Sequence, residues 1–375
     1  MVKRRNTGHS GKSGKGHWLF SALWRIVLVI SAAALIFSYL STYVNPSVFS
    51  IPLFFGLFFI PLLLLNIFLL IVSLCKRSGS VWIPIIAILP SFIYAENFVR
   101  YSGNVEQTVA GERLKVESYN VGMFSSSSSH AYPRNDCRML VMNHLKQSNA
   151  DVVALQECFV SSLRMADTLL EKKYPFRAYH LFKMKSGQRF GNLILSKYPI
   201  VAQDKQVFEG STNLCVLADI RFKGDTIRIC NNHLESYNIS FTALVKKLSG
   251  GFGNHDIGLA DEIMDVHSRM KGTNIKRSKQ VDRIISGIES SPYPVIVCGD
   301  FNDTPISYTY YRFTKSRKDT FKMAGSGFAG TFRYLWPLLR IDYVLVPEVY
   351  ECLSHQSPKL SYSDHFPVIT ELVIQ

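Results

Sequence analysis

The chain has 375 residues, 47% of them hydrophobic and 19% charged, with 42 Lys and Arg against 28 Asp and Glu for a formal charge of +14. The charge is unevenly placed: residues 1–98 hold eight basic residues and a single acid, Glu96, while the other 277 residues hold 34 bases and 27 acids. This excludes disorder throughout, a collagen-like or disulfide-scaffold class and a purely soluble protein, and it leaves ample chain for one large domain or two small ones behind an apolar N-terminal part.

The basic tail 1–17 reads as a topology signal in contact with anionic lipid rather than a nucleic-acid arm. Ile26–Tyr43 is uncharged over 18 residues, and Ile51–Leu74 over 24 with Asn66 as its strongly polar member. Either suits a hydrocarbon core, which takes about 20 residues. Val81–Ala95, interrupted by Pro84 and Pro90, is a third span or a re-entrant or interfacial segment. Six basic residues precede the first span, and Lys76 and Arg77 lie between the second and third, which puts the N-terminus in the cytoplasm by the positive-inside rule. Three crossings carry everything after residue 98 to the non-cytoplasmic side; two leave it in the cytoplasm. The expected organisation is a tail (1–17), a membrane region of about three transmembrane helices (18–98), a linker (99–112) and a domain (113–375), in a multi-pass protein with that domain outside the cytoplasm.

Beyond the linker, short apolar runs alternate with amphipathic periods. Strands are expected at Leu114–Asn120, Val152–Leu155, Leu193–Leu195, Cys215–Phe222, Thr226–Asn231, Val295–Cys298, Ile341–Val346 and Val368–Ile374, with a hairpin turn at Lys223, Gly224 and Asp225. Helical periods fall at Arg138–Gln147, Ser162–Lys172 and Lys279–Glu289. The class is α/β or α+β with mixed, largely antiparallel sheets. Ser125–Ser129 reads as a loop, and the glycine-rich stretch Ile239–Asn274 as an insertion, either a functional lid or a surface excursion. The seven cysteines show no metal-finger spacing and read as buried thiols.

Nearly every expected strand ends in a residue able to bind a metal, a phosphate or a proton: Asn120, Glu157, His233 and Glu235, Asp300 and Asn302, Asp342, and Asp364 with His365. Residues two apart on an extended chain face the same way, so Asp300 with Asn302, and His233 with Glu235, can each address a shared point. A hard cation such as Mg²⁺ needs one or two carboxylates, which Glu157 supplies with help from Asn120 or Asp364. Hydrolysis of a phosphate ester also needs a held water, donors to the phosphoryl oxygens and a proton source. Asp300 and Asn302 suit the first task, and His233 and His365 the others, with Asp342 as the acid that orients His365.

The segments LKVESYN, DVVALQE, GNLILSKYPI, NNHLES, VIVCGDFNDTP, RIDYVLV and SDHFPV resemble, in order, the motifs of the endonuclease/exonuclease/phosphatase superfamily over roughly Leu114–Gln375. The resemblance implies an α+β, four-layer sandwich of two mixed, largely antiparallel sheets flanked by helices, with a Mg²⁺-dependent site, Mn²⁺ being an alternative. It implies Glu157 as principal metal ligand, Asn120 as a metal-site and phosphate contact, Asp364 close to the metal, and Asp300 with Asn302 orienting the nucleophilic water. It further implies His233 as a phosphate-binding and leaving-group histidine, and His365 with Asp342 as the other catalytic pair. Asn192 in GNLILS is either a phosphate contact or a plain strand residue. The expected function is a membrane-anchored metal-dependent phosphoesterase, with membrane lipids and a phosphate-ester substrate, a lipid head group or nucleic acid, as partners and no protein partner. The alternatives are an anchored nuclease and a non-catalytic binding protein of the same fold.

Overall fold

The computed structural model describes residues 13–101, 110–125, 133–237 and 259–374. Most of the basic tail (1–12), most of the expected serine loop (126–129) and the first part of the expected insertion (239–258) lie outside the described residues.

In chain order the strands are β1 (Val99–Arg100), β2 (Glu112–Asn120), β3 (Val152–Val160), β4 (Phe176–Lys183), β5 (Arg189–Ser196), β6 (Ile200–Val207) and β7 (Leu214–Phe222). They continue with β8 (Asp225–His233), β9 (Val295–Asp300), β10 (Lys318–Asp319), β11 (Gly327–Phe328), β12 (Asp342–Val346), β13 (Glu351–Gln356) and β14 (Val368–Ile374). Two six-stranded sheets result, in the orders β10-β12-β9-β8-β7-β6 and β13-β14-β2-β3-β5-β4. Each is antiparallel apart from one central parallel pair, β8 with β9 and β2 with β3. The expected hairpin is present, with Phe222 opposite Asp225. Its turn residues Lys223 and Gly224 both have positive φ, as a two-residue turn matching strand twist requires.

Side-chain alternation builds the layers. Val152 and Ala154 point between the sheets, where they meet Val216, Ile229 and Ile296 of the other sheet. Val153 and Leu155 point outward onto Val141 and Leu145 of the helix Arg134–Ser148. On the opposite outer face, Val281, Ile284 and Ile288 of the helix Leu259–Glu289 cover Cys215, Leu217 and Val297. Val152–Leu155 of β3 and Val295–Cys298 of β9, covered on both faces, are apolar at every position, which is why they read as continuous runs. The helix expected at Lys279–Glu289 is the last part of this longer one, and that expected at Ser162–Lys172 ends early, at Leu163–Thr168. Cys137, Cys158, Cys215, Cys230 and Cys298 are buried and not in disulfides.

The N-terminal region packs as a helical cluster. A helix runs from Ser13 to Leu40, and its Trp18–Leu40 part is, among the described residues, the one segment long and apolar enough by itself to cross a membrane. The expected single span Ile51–Leu74 is instead two helices, Ile51–Leu57 and Phe59–Cys75, bent by 75°. Pro61 is the local cause, since it lacks an N–H for the carbonyl of Leu57 and its ring crowds that position. Gly56 makes the bend productive: a Cβ there would lie 2.2 Å from Ser41 Oγ and 2.9 Å from Ile306 O. The third segment is a short helix, Trp82–Ile88, continued as a 3₁₀ helix, Leu89–Asn97.

The two parts of the chain are joined by specific contacts. Ser41 Oγ donates to Ile306 O at 2.8 Å, Asn45 Nδ2 to Tyr308 Oη at 3.2 Å and Arg340 Nη1 to Asn97 O at 3.3 Å. Ile306 is buried among Leu35, Tyr39, Phe59 and Tyr94, and β1 pairs with β11.

Candidate active site

Strand pairing gathers the polar strand ends. In one sheet His233 stands opposite Asp300, and Asp300 opposite Asp342. In the other, parallel pairing places Asn120 beside Gln156, next to Glu157. Because β8 and β9, and likewise β2 and β3, run in the same direction, their C-terminal ends emerge at a common edge. The turn Ser363–His365, just before β14, closes the group: Ser363 Oγ donates to Asn120 O at 2.8 Å and accepts from His365 N at 3.1 Å.

Two backbone departures aim the key side chains. Glu157 has φ 52° where the β3–β5 register shifts between Leu155 and Cys158. A left-handed glutamate inside a strand costs on the order of 1–3 kcal/mol, and such strain collects at functional sites. Asn302 has φ 51° and its N–H donates to Asp300 Oδ1 at 2.8 Å.

Asp300 Oδ2 is the hub. It accepts from Asn120 Nδ2 at 2.9 Å and from Asn302 Nδ2 at 3.1 Å, and lies 3.8 Å from His365 Nε2 and 4.0 Å from His233 Nε2. Asn120 Nδ2 also reaches Glu157 Oε1 at 3.3 Å, so a single amide ties the two sheets together at the site. His233 Nε2 lies 3.4 Å from Glu157 Oε1, and His365 Nδ1 lies 2.9 Å from Asp342 Oδ2. Glu157, Asp300, Asn302, Asp364 and His365 face a pocket of about 190 Å³, under which Asn120, His233 and Asp342 are buried.

The electrostatics follow from burial. Desolvation raises the Glu157 and Asp300 carboxyls, the latter to about 6. Burial likewise lowers His233. Burial also opposes charge on His365, but the Asp342 and Asp300 carboxylates outweigh it and hold its imidazole well above the ordinary histidine range.

Two expected residues turn away. Asn192 is fully buried and its amide donates to Leu214 O and Asn231 O, so it joins strands and does not line the pocket. The Glu235 carboxylate accepts from Ser211 Oγ at 2.6 Å and from Gln280 Nε2 at 3.3 Å, because the chain leaves β8 at His233 and no longer alternates. Conversely, Tyr237 and Asp303 line the pocket and are braced by the buried Arg277, whose Nη1 reaches Tyr237 Oη and Asp303 Oδ2 at 3.1 Å each. Gly122 was also missed: with φ 51°, a Cβ there would fall 2.7 Å from Asp364 Oδ1. Of these, GDFNDT carried a signal for Asp303, and Arg277 carried none.

Asp300, Asp342 and His365 each offer a ligand atom within 4.8 Å of the others, yet Asp342 is already engaged by His365 Nδ1. Glu157, Asp300 and Asp364 face the pocket together with Asp303, which Arg277 engages, and among the described residues its wall holds no Lys or Arg. Desolvated acids so placed are a donor set suited to a hard divalent cation.

Comparisons with known proteins agree with this architecture. A family model described as Endonuclease/Exonuclease/phosphatase family matches residues 118–365, and one described as a domain of unknown function matches residues 19–98. No curated protein matches the chain. Among solved structures, the human Nocturnin catalytic domain with bound sulfate anion is similar at 14% identity and a TM-score of 0.50, over 71% of this chain and 97% of that one. An endonuclease/exonuclease/phosphatase from Bacteroides vulgatus is similar at 17% identity and a TM-score of 0.49, over 70% of this chain and 100% of that one. One from Beutenbergia cavernae is similar at 16% identity and a TM-score of 0.49, over 70% and 72%.

Proposed function

The chain belongs to the endonuclease/exonuclease/phosphatase family, and from that premise we propose that it is a membrane-anchored, divalent-metal-dependent phosphoesterase acting on phosphate esters of the membrane, with a phosphodiester as the preferred bond. The observation that carries the catalytic part is the convergence on Asp300 Oδ2 of two amides and two imidazoles, one imidazole fixed by Asp342.

In this reading Asp300, raised to about 6 by burial, takes the proton of a water that Asn302 helps to hold, because a base works best with a pKa near the operating pH. The water oxygen bonds to phosphorus, the ester P–O bond breaks, and the departing oxygen receives a proton from an imidazole. His365, oriented by Asp342, and His233, which reaches both Glu157 and Asp300, supply that proton and the donors to the phosphoryl oxygens. Glu157, with Asn120 and Asp364, would hold Mg²⁺ or Mn²⁺, which supplies charge stabilisation at the phosphoryl oxygens.

The anchored, multi-pass organisation is supported by where the contacts fall. Lys76 Nζ sits 4.6 Å over the Phe20 ring and 4.4 Å over the Trp24 ring, at the basic end of the helical cluster. The domain engages the other end, through Ser41 and Asn45. With basic residues inside, the domain at 113–375 lies on the non-cytoplasmic side of the region 18–98.

The test is product release by the purified full chain, with Mg²⁺ or EDTA, from phospholipid vesicles and in parallel from DNA and RNA. Chelator-sensitive release of a phosphorylated head group is expected. Cleavage of nucleic acid with lipid untouched would make the protein an anchored nuclease and discard the lipid reading.

A further inference from the structure

The catalytic pocket does not end in solvent on every side. A second cavity, of about 150 Å³, adjoins it, and Leu57, Thr304 and Leu339 belong to the walls of both. The rest of the second cavity is apolar, with Phe58, Phe59, Phe98, Leu335 and Leu338 in its wall. Its two sides have different origins. Leu57, Phe58 and Phe59 come from the 75° break in the N-terminal helices, whereas Thr304 and Leu335–Leu339 come from the domain. The break set by Pro61 therefore places a hydrophobic residue, Leu57, at the edge of the catalytic acids.

We propose that this second cavity is a subsite for the hydrocarbon chain of an amphiphilic phosphate ester, whose phosphate lies at Asp300 and His365 and whose first carbons pass between Leu57 and Leu339; the inference rests on the phosphoesterase reading and names the substrate class. Three observations favour a hydrocarbon over a nucleoside. The wall offers leucine and phenylalanine where a sugar and a base would need polar partners. An apolar cavity of about this size stays dry and takes an apolar group of about the bulk of benzene, which suits the first few carbons of a chain. The neighbouring domain segment exposes Phe328, Tyr334, Trp336 and Leu338, the aromatic composition of a surface lying at a membrane–water interface. At the junction, the buried Thr304 Oγ1 has no hydrogen-bond partner among the described residues, and it is available to the ester oxygen that links phosphate to chain.

The experiment uses the full chain in lipid nanodiscs with Mg²⁺ and the methyl, butyl and octyl esters of 4-nitrophenyl phosphate. Burying one methylene is worth about fourfold in kcat/KM, from about 0.8 kcal/mol, so the butyl ester is expected to exceed the methyl ester by at least about tenfold. Leu338→Trp, at a position 43% exposed that tolerates bulk, and Leu335→Ser, which makes the wall polar, should each reduce the butyl-to-methyl ratio several-fold. Partition of the esters into the disc is common to wild type and variants, so a lowered ratio reads the cavity itself. A wild-type ratio near one, or a ratio retained in both variants, overturns the subsite. Calorimetric binding of methyl- and octylphosphonate does not depend on turnover. Equal affinity for the two overturns the inference even if esters are hydrolysed, while chain-dependent affinity, lost in the variants, with no hydrolysis keeps the subsite and discards the phosphoesterase reading.

Discussion

His365 Nδ1 and Asp342 Oδ2 lie 2.9 Å apart beside the acid-lined pocket, which leaves His365 Nε2 facing Asp300 Oδ2 at 3.8 Å. A carboxylate that holds one ring nitrogen fixes which nitrogen is presented to the substrate. Asp342→Asn preserves shape but removes the charge and permits the wrong tautomer. Its kcat is expected to fall by about 10²- to 10⁴-fold with KM little changed. Steady-state kinetics on a soluble diester check this, and a kcat within twofold or so of wild type would remove Asp342 from the mechanism.

Glu157 is the acid whose backbone is strained to reach the pocket. Glu157→Gln keeps the hydrogen bond from Asn120 and loses the charge, so the Mg²⁺ concentration for half-maximal activity should rise by at least about tenfold. A Mg²⁺ titration read by activity and by calorimetry separates the outcomes: unchanged metal affinity would mean that the ion is held elsewhere.

Asp319 and Arg340 form a buried pair at 2.6 Å, with both side chains 1% exposed. Removing one partner from such a pair typically costs about 3–5 kcal/mol, so Asp319→Ala should lower the thermal midpoint markedly. Burial by itself would raise the Asp319 carboxyl, but Arg340 outweighs it and holds the pKa below the usual value. With the folded pKa depressed, this stabilisation is fully present above the unfolded value of about 3.9. It is lost as the pH falls through the folded value. Wild type should therefore lose stability over that acid range, and Asp319→Asn should lose less of it; parallel pH profiles for the two would contradict the assignment.

Tyr101, 96% exposed, follows the helical region and precedes the domain. In a Cys75→Ser background, Tyr101→Cys should react with an impermeant thiol reagent added to intact cells. Reaction seen only after lysis would place the domain in the cytoplasm.

The eight strands expected from apolar runs, β2, β3, β5, β7, β8, β9, β12 and β14, are the eight interior strands of the two sheets. Of the six strands missed, β4, β6, β10 and β13 are the four edges of these sheets, and β1 and β11 are the two-residue strands of the small separate sheet. Ile200–Val207 shows why: it reads IVAQDKQV and is exposed over most of its length, because an edge with one open face carries polar residues and loses the apolar signature. The helix break at Phe58 was hidden for a different reason. Pro61 was visible, but Ser41 and Ile306, against which Gly56 packs, are close to it only in the folded chain.

The amino-acid sequence determined the chemistry available to this protein: Asn120, His233, Asp300, Asn302 and Asp342 sit at or next to the ends of interior strands, Glu157 at the register shift inside β3, and Asp364 and His365 in the turn before β14, places where regular alternation stops and polar side chains are tolerated. Tertiary structure alone decided which of the polar residues share a pocket. Parallel pairing of β2 with β3 and of β8 with β9 sets those strand ends at one edge, while Asn192 and Glu235, equally suggestive by motif, are bonded away from it. It also decided that Leu57, some hundred residues before Glu157, borders the pocket that Glu157 faces. Contacts of this kind depend on how separate elements pack, and side-chain periodicity along one element carries no information about its neighbours across the core.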